Sequence, residues 1–437
     1  MSTDYKGVKA STLTLESPSA EQKADVIVVG AGPAGSSTAA FLAKAGLDVC
    51  LLEKSGFPRE KVCGDGLTPR AVRMMIRLGI DTSEEAGWKR NKGLRIFAGG
   101  AEPLDMPWPN VGDYPDYGLV CSRTVFDDML AGIAVASGAR LYTETRVEGP
   151  LLDASGHVIG VKDSQGRHFY APIVVAADGN SARLALQAGR DRMDSRPMGV
   201  AVRSYYRSPK SDLEWLESYL ELWDGQPGKS NLLPGYGWVF GCADGTANVG
   251  LGMLNTSSAF GKTDYKALMK RWLDATPAEW GFREENRLEP IRGAALPMAF
   301  NRQPFYADGL LLVGDAAGMI SPFNGEGISY AMESGQIAAE CIADAKARGF
   351  NTPSAEVALE HYVDQIKAEW GGYYRLGTIF VKLIGNPHIM QMCTKYGLPH
   401  ARLMRFVHKL LANLPSHHHR EVDDLVITIL SRLAPST

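Results

Sequence analysis

Short apolar runs alternate with helical patterns along the first part of the chain. Residues 25–30 and 49–53 are continuous runs rich in β-branched and apolar side chains, which are typical of buried parallel strands. Between them, residues 31–46 begin with small side chains and stop at Gly46, a pattern that predicts a helix. Together they predict a β-α-β unit. Similar apolar runs at 173–177 and 310–313 predict further strands of the same sheet.

The pattern changes twice farther along the chain. Between residues 196 and 296 aromatic-rich runs alternate with polar positions, which predicts an antiparallel sheet, and after residue 351 the periodicity is helical. We therefore predict an α/β protein with two domains and a helical C-terminal part. The predicted parts are a disordered leader over 1–23, a nucleotide-binding domain over 24–195 with interleaved substrate-domain elements, an antiparallel substrate domain over 196–296, the rest of the nucleotide-binding domain over 297–350, and a helical region over 351–437.

Composition narrows the class of protein. The chain has 437 residues, 45% of them hydrophobic and 22% charged, which is usual for a soluble globular protein with more than one domain. A net charge of −3 argues against a nucleic-acid-binding protein. The cysteines are far apart and no His or Cys spacing indicates a metal site. No apolar run reaches the ~20 residues of a membrane-spanning helix, so we expect any membrane contact to be peripheral.

A glycine fingerprint stands between the first strand and the first helix. Residues 30–35 read G-x-G-x-x-G, with Pro33 and Ala34 inside the motif. Gly30 permits the tight turn, Gly32 lets a pyrophosphate approach the backbone and helix N-terminus, and Gly35 lets helix and strand pack closely. Glu53 ends the second strand, where a carboxylate binds a ribose hydroxyl. The alternative is a glycine-rich turn without a ligand.

Two further strand ends carry an acidic residue beside a glycine. Asp178-Gly179 follows one predicted strand, and Gly314-Asp315 follows another. An aspartate at a strand end is suited to accept a hydrogen bond from a ribose or ribitol hydroxyl. Either pair alone is also compatible with a helix cap or a turn.

The ordered set of fingerprint, Asp-Gly and Gly-Asp resembles the FAD enzymes related to aromatic hydroxylases, over roughly residues 24–345. The resemblance implies FAD as cofactor and a Rossmann-like, aromatic-hydroxylase-like FAD domain. It implies that Asp315 binds the ribose or ribitol region, that Arg123 lies near the FAD, and that the Val147 backbone lies by the adenine. A salt bridge at a helix start is the alternative for Arg123. Lys54 and Arg59 are further candidates for FAD contacts.

Residues 322–328 lead into a long predicted helix that covers 327–348. The N–H groups of Gly325, Gly327 and Ile328 would face the flavin N1 and O2 edge, where the reduced ring carries negative charge. A plain helix start is the alternative interpretation.

Finer motifs resemble the geranylgeranyl reductases. Residues 57–66 resemble the Lys-x-Cys-Gly-x-Gly segment of that family, with Cys63, Gly64 and Asp65 as candidate FAD contacts. Residues 233–240 resemble its Tyr-x-Trp-x-Phe-Pro motif, and residues 248–252 match as well. Gly241 stands where the family usually has proline, which we expect to loosen the strand end. Within the family the chain is most similar to the actinobacterial menaquinone reductases.

This resemblance implies an FAD-dependent reductase that saturates C=C bonds in the prenyl chain of a lipid-soluble isoprenoid. The predicted catalytic residues are Cys63, which would tune or relay a proton, and Tyr236 and Trp238, which would form apolar walls over the flavin. A small buried hydrophobe is the alternative for Cys63, and half-buried strand aromatics are the alternative for Tyr236 and Trp238. The electron donor is a reduced nicotinamide or another donor, because no separate nicotinamide fingerprint occurs.

The C-terminal part segregates basic charge. Residues 371–420 contain no Asp or Glu, and Arg402, Arg405 and Lys409 lie between leucines at helical spacing. A basic amphipathic helix suits an anionic membrane, which predicts a cytoplasmic enzyme, peripheral on the inner face of the cell membrane. The alternative is a helix packed on its own protein with a solvated basic face.

Two other functions remain open at this level. An FAD monooxygenase or halogenase shares the cofactor motifs, although halogenases carry Trp-x-Trp-x-Ile-Pro where this chain has Tyr236, Trp238 and Phe240. A non-catalytic prenyl-lipid escort is the second alternative, and the complete nucleotide fingerprint counts against it.

Overall fold

The computed structural model describes residues 8–98, 102–256, 259–397, 400–414 and 429. The strands, in chain order, are β1 Glu21–Lys23, β2 Val26–Val29, β3 Val49–Leu52, β4 Gly66–Leu67, β5 Arg90–Asn91, β6 Gly93–Phe97, β7 Leu104–Pro107, β8 Gly118–Val120, β9 Arg140–Tyr142, β10 Val147–Leu152, β11 Val158–Asp163, β12 His168–Tyr170, β13 Ile173–Ala176, β14 Met198–Arg207, β15 Leu216–Tyr219, β16 Leu222–Trp223, β17 Leu232–Leu233, β18 Gly235–Gly241, β19 Thr246–Leu254, β20 Arg292–Pro297, β21 Tyr306–Ala307 and β22 Leu310–Leu312. The α-helices are α1 Pro33–Lys44, α2 Pro69–Leu78, α3 Arg123–Ala136, α4 Arg183–Gln187, α5 Tyr265–Asp274, α6 Ile328–Ala347, α7 Pro353–Ile366, α8 Gly372–Ile384, α9 Pro387–Met392 and α10 Ala401–Ala412.

The nucleotide-binding domain is built on a largely parallel sheet. Its strand order is β21-β22-β13-β2-β3-β9, with only β21 antiparallel to its neighbour. Strands β2, β3 and β13 are buried along their whole length, which explains their continuous apolar sequences. Helix α1 packs between α3 and α6. The predicted α/β class and FAD-domain architecture are confirmed.

The second sheet, called the substrate sheet below, contains the strands of the predicted substrate domain. Its order is β20-β14-β19-β18-β15-β6-β7, and the long strands β14 and β19 pair antiparallel so that Tyr205 lies opposite Asn248. The pairing is antiparallel throughout except between β15 and β6. Strands β6 and β7 come from within residues 24–195, so two separate chain segments build this sheet.

The expectation of a disordered leader is wrong for residues 8–23. Strand β1 adds to the edge of the β12-β11-β10 sheet, and Ala10 is buried against the core. The Ser11 hydroxyl and amide both donate to the Asp128 carboxylate. Gly132 permits this contact, because a Cβ there would lie 2.1 Å from the Val8 carbonyl oxygen. The polar composition of this segment gives no sequence signal for the edge strand, because the strand is held mostly by backbone hydrogen bonds. Residues 1–7 of the predicted leader lie outside the described part.

The predicted C-terminal helical region appears as α7 to α10, with a π-helical turn at Lys367–Gly371 between α7 and α8. The rest of the prediction, from residue 415 onward, lies outside the described residues except for 429. Across the residues that the structure describes, no helix has the length and apolar character needed to cross a membrane.

Candidate active site

One cavity of about 1110 Å³ connects the two sheets with the C-terminal helices. It begins at the carboxyl ends of β2 and β3, passes between the sheets, and extends along α8 to α10. Its walls bring together almost all of the predicted site residues: Gly30, Gly32, Pro33, Ala34, Glu53, Lys54, Arg59, Cys63, Gly64, Asp65, Arg123, Val147, Asp178, Gly179, Tyr236, Trp238, Asp315, Gly325, Gly327 and Ile328. Gly35 and Gly314 are not among its lining residues and pack behind them.

The three fingerprint glycines differ in what surrounds them. A Cβ at Gly35 would lie 1.8 Å from the Gly30 carbonyl oxygen, and Gly30 itself has φ +101°. A Cβ at Gly32 would meet nothing closer than 3.7 Å, where the Arg59 guanidinium lies. Gly30 and Gly35 therefore serve packing, whereas Gly32 keeps open space in front of the α1 N-terminus. This cradle fits a pyrophosphate.

Two guanidinium groups flank that space. Arg123 binds Asp127 through two hydrogen bonds of 2.6 and 2.8 Å, and Arg59 forms an ion pair with the same carboxylate at 2.8 Å. The predicted alternative for Arg123, a salt bridge at a helix start, is therefore present. A Cβ at Gly32 would lie 3.7 and 3.8 Å from terminal nitrogens of these two arginines. One buried carboxylate thus holds two cations where a diphosphate would lie, and structural and ligand-binding roles coexist.

Glu53 is tied to the same turn. Its Oε2 accepts the Ala31 amide at 3.0 Å and lies 3.3 Å from Arg59, while its Oε1 accepts the Ser55 amide at 3.1 Å. Each carboxylate oxygen has two lone pairs, so a ribose hydroxyl remains compatible with this arrangement.

The two strand-end aspartates have different environments. Asp178 Oδ2 accepts the Leu184 amide at 3.0 Å, as in the predicted cap, while its buried Oδ1 has no hydrogen-bond partner among the described residues. Asp315 is the second residue of a short 3₁₀ turn over Gly314–Ala317, and burial raises the pKa of its carboxyl, opposed by Lys61 and Arg123. A ligand hydroxyl would satisfy either carboxylate.

The loop before α6 reduces the set of backbone N–H groups that could contact the flavin. The Gly325 amide donates to the Ser321 carbonyl at 3.0 Å, and the Glu326 amide donates to the Asn324 side chain at 3.0 Å. The proposed donation from Gly325 to a flavin is therefore not available. Gly327 and Ile328, at the N-cap and first position of α6, are the positions to which that proposal still applies.

The segment over residues 57–66 crosses the cavity and rests on the second sheet. The Cys63 thiol accepts the Asp65 amide at 3.4 Å, and burial raises the pKa of this thiol while nearby Arg123 lowers it. A Cβ at Gly64 would lie 3.4 Å from the indole nitrogen of Trp238. Gly64 therefore lets the segment lie close to the aromatic strand.

The carboxyl of Asp65, a predicted FAD contact, is tied through one oxygen to the second sheet. It is fully buried, and its Oδ2 accepts hydrogen bonds from the Tyr205 hydroxyl and from the Asn248 amide. Both partners belong to the substrate sheet, so the carboxyl holds the 57–66 segment to that sheet. The backbone amide of Asp65 donates to Cys63 and its carbonyl accepts the Cys121 amide, whereas its Oδ1 has no hydrogen-bond partner among the described residues.

Aromatic side chains alternate along β18. Tyr236, Trp238 and Phe240 share one face, with ring centroids 6.1 and 6.3 Å apart, and all three line the cavity. The Tyr236 hydroxyl donates to the Asn324 carbonyl at 2.7 Å, and the Trp238 indole donates to Asn248 at 2.9 Å. Both predicted aromatic residues thus stand in the cavity wall in fixed orientations.

Gly241 does not loosen the strand end. It pairs with Ala247 in the β18–β19 ladder, and a Cβ there would lie 2.4 Å from the Ser211 carbonyl oxygen. The glycine lets the strand pack directly on the turn at 209–212, which a larger residue would displace.

Sequence reasoning missed a buried polar network on the sheet face below Cys63. Asn248 donates to the Cys63 carbonyl at 2.9 Å and to the Asp65 carboxylate, and it accepts a hydrogen bond from the Trp238 indole. Arg203, fully buried, donates to the Cys63 carbonyl at 3.2 Å and forms ion pairs with Glu60 and Glu289. The only available sequence signal was an arginine and an asparagine inside otherwise apolar strands.

The far arm of the cavity is apolar. Helices α8 to α10 contribute its walls, which include Phe380, Ile384, Met390, Met404 and Val407. Within α10, His408 and Lys409 are buried, so Lys409 is not on an exposed basic face, which both the membrane interpretation and its alternative had expected. The side chains of Arg402 and Arg405 lie outside the described part. The helix packs on its own protein because its apolar residues cover the cavity.

Comparisons with known proteins agree with this geometry. Residues 23–237 match the family described as FAD binding domain. The menaquinone reductase of Mycolicibacterium smegmatis is 34% identical over 90% of this chain and 92% of that protein. The menaquinone reductase of Mycobacterium tuberculosis is 37% identical over 74% of this chain and 78% of its own length. Digeranylgeranylglycerophospholipid reductase 2 of Methanopyrus kandleri is 31% identical over 80% and 84% of the two chains.

Solved structures share the fold. A geranylgeranyl bacteriochlorophyll reductase-like protein from Thermoplasma acidophilum has a TM-score of 0.74 at 23% identity, covering 90% of this chain and 97% of that one. A flavin-dependent brominase has a TM-score of 0.69 at 19% identity, covering 94% and 99%. At these identities the likeness concerns the fold alone.

Proposed function

This chain belongs to the geranylgeranyl reductase family of FAD-dependent oxidoreductases, and from that premise we propose that it saturates a C=C bond in the prenyl tail of a menaquinone. The predicted family, the FAD cofactor and the oxidoreductase class are confirmed. The reductase relatives are more than 30% identical over most of their length, whereas the brominase likeness is one of fold. The monooxygenase and halogenase alternative therefore has less support.

The observation that carries the proposal is the continuity of the cavity. Its nucleotide end is lined by the glycine turn and paired arginines, and its other end by aliphatic and aromatic side chains of β18 and α8 to α10. A long hydrocarbon chain suits such an arm, because burying it removes apolar surface from water at about 25 cal/mol per Å².

Some of the cavity residues would bind FAD, and others would exclude water from the reaction space. Arg59 and Arg123 would neutralise the FAD diphosphate, and Gly327 and Ile328 would present the α6 N-terminus to the flavin. When bound and reduced, FAD supplies a hydride to the substrate. Tyr236 and Trp238 would wall the reaction space, since rigid rings give apolar contact at low entropy cost. The roles of Cys63, Tyr236 and Trp238 in catalysis remain our proposals.

The test uses the FAD-loaded full chain, reduced chemically with dithionite under anaerobic conditions. Addition of menaquinone should reoxidise the flavin and add one pair of hydrogens to the tail, which mass spectrometry of the extracted quinone detects. A product reduced only at the quinone ring, with an unchanged tail mass after air oxidation, would overturn the proposal. Replacing dithionite by NADH or NADPH then identifies the electron donor separately.

We also propose that the enzyme works at the inner face of the cell membrane, through an apolar rim. The rim consists of Leu383, Met392, Tyr396 and Leu403, which are 46 to 61% exposed on α8 to α10, and three of them line the cavity mouth. A lipid-soluble tail would pass from the bilayer into the cavity through this rim.

Vesicle co-sedimentation tests the rim. Replacing Met392 and Leu403 by Ser should weaken binding to phosphatidylglycerol-containing vesicles severalfold. Val357→Ser is the matched control, because this residue is as exposed as Met392 (59% each) but lies on α7 and does not line the cavity. Equal binding of the double variant and the control would exclude the rim.

A further inference from the structure

Saturation of an isolated alkene needs a proton as well as a hydride, and the predicted candidates are poor acids. Burial raises the pKa of the Cys63 thiol. Burial and the nearby Glu326 carboxylate raise the pKa of the Tyr236 phenol to about 12, and its hydroxyl proton already binds the Asn324 carbonyl. Neither group is disposed to release a proton near neutral pH.

Glu326 offers a carboxyl group in the same wall. It lies in the loop before α6, is half-buried and lines the cavity together with Tyr236 and Thr68. Its Oε1 accepts hydrogen bonds from the Thr68 hydroxyl at 2.5 Å and the Ser329 hydroxyl at 2.6 Å. Among the described residues, its Oε2 has only a long contact of 3.5 Å from the Asn324 amide. One oxygen is therefore held firmly, while the other is left to carry and release a proton.

Burial favours the neutral form of the Glu326 carboxyl. Burial raises the pKa of this carboxyl, and the two hydroxyl donors and Arg70 lower it. The Arg70 charge is shared, because Arg70 forms an ion pair with Glu333 at 2.6 Å and Glu333 raises the Glu326 pKa. Within the described part of the chain, Glu326 itself has no ion pair. The other titratable groups that sense its charge are the phenols of Tyr236, Tyr330, Tyr373 and Tyr374.

We propose that Glu326 is the acid that protonates the alkene in the reduction proposed above. The O–H bond of its carboxyl breaks and leaves its electron pair on oxygen, while the alkene π pair forms a C–H bond at the less substituted carbon. The second C–H bond, at the more substituted carbon, would take the hydride that reduced FAD supplies when bound, and FAD would thereby lose two electrons. Solvent returns the proton to Glu326. This role rests on the proposed prenyl-reductase function.

The first test compares Glu326→Gln with wild type in the anaerobic single turnover. The amide keeps the shape and the acceptor for Thr68 and Ser329 but has no acidic proton. We expect unchanged flavin content and a reoxidation rate lower by about 10²- to 10⁴-fold. The wild-type rate should fall as the pH rises through the Glu326 pKa, and the variant should lose this limb. Glu326→Asp should retain the limb at a reduced rate.

A second readout does not depend on turnover. Infrared difference spectra of the FAD-loaded protein across the pH range should show a protonated-carboxyl stretch that disappears in Glu326→Gln. Ser329→Ala removes a donor to the charged form, so it should move both this titration and the rate limb to higher pH.

The outcomes separate the two claims. A wild type that reduces no prenyl tail overturns the proposed function and this role with it. A wild type that reduces the tail, beside a Glu326→Gln variant with the same rate and the same pH limb, overturns the Glu326 assignment alone.

Discussion

The two ends of the cavity are constructed in different ways. At the nucleotide end, the turn that faces the ligand space is a backbone motif formed within residues 30–35, and Arg59 and Arg123 are added to it from elsewhere in the chain. At the substrate end, the Cys63 segment is held by side chains up to 185 positions away, through Asn248 and Arg203. A local motif therefore specifies the cofactor, whereas the reaction space depends on the pairing of distant strands.

Loss of Arg203 should have the largest effect. Arg203→Met leaves Glu60 and Glu289 without their buried cation, which should lower the free energy of unfolding by about 3–5 kcal/mol. Arg95→Met is the control, because its ion pair with Asp105 on the same sheet is exposed and should cost at most about 1 kcal/mol. Urea unfolding of the FAD-loaded protein measures both. Equal losses of unfolding free energy in the two variants would show that burial of the Arg203 ion pairs does not increase their contribution to stability.

At the nucleotide end, substitutions of Gly35 and Gly32 should have different effects, the first on stability and the second on FAD binding. Gly35→Ala forces a Cβ into the Gly30 carbonyl and should destabilise the fold by about 3 kcal/mol. Gly32→Val should instead keep the unfolding midpoint of the apoprotein and lower flavin content at least about tenfold, a loss of about 1.4 kcal/mol in binding. Absorbance of the purified proteins and apoprotein melting distinguish the two. A Gly32→Val protein with full flavin content would contradict the cradle.

The substrate end should respond to Asn248→Leu. This change leaves the Trp238 indole without its acceptor and removes one of the two donors to the Cys63 carbonyl, which should cost about 1–3 kcal/mol. It should also speed alkylation of Cys63 by iodoacetamide, since the segment loses an anchor. Asn91→Leu is the matched control, because it breaks a similar buried bond to Trp108. If both variants alter the rate of Cys63 alkylation equally, Asn248 does not specifically stabilise the 57–66 segment.

The last prediction is a pH dependence of the stability. Burial raises the pKa of the Asp65 carboxyl from 3.8 to about 6, opposed by the hydrogen bonds from Tyr205 and Asn248. The folded protein therefore binds this proton more tightly than the unfolded chain. The resulting stabilisation is complete below about pH 3.8 and is lost as the pH rises through about 6. Asp65→Asn should show a weaker loss of stability over that window in urea titrations, and an unchanged slope would count against this titration.

Much of the nucleotide end was predictable from sequence. The β2-α1-β3 unit and the open space at Gly32 follow from residues within about 30 positions, because turn and helix geometry are local. The antiparallel sheet was also predictable as a type of element. Its register was not, and that register sets Tyr205 opposite Asn248 and so brings both to Asp65.

The wrong predictions share a physical cause. The sequence of residues 8–23 shows no apolar periodicity, but a backbone edge and Asp128 bind this segment. The residue spacing in α10 indicates which side chains share a face, but not which face the rest of the protein covers. Lys409 was therefore expected on an exposed basic face, and it is buried. Gly241 was compared with a family pattern, whereas the nearby Ser211 carbonyl determines which residue fits. In these cases the sequence of the segment itself does not show which other part of the fold covers it.

The polar network beneath Cys63 has a consequence for protein engineering. The 57–66 segment emerges from the parallel sheet, yet Arg203, Tyr205 and Asn248 bind it to the other sheet. A chimera that exchanged residues 196–296 between two relatives, with a crossover on either side, would separate this segment from the strands that match it. Recombination between relatives should therefore keep residues 57–66 with the donor of β14 and β19, as one heritable block that is discontinuous in the gene.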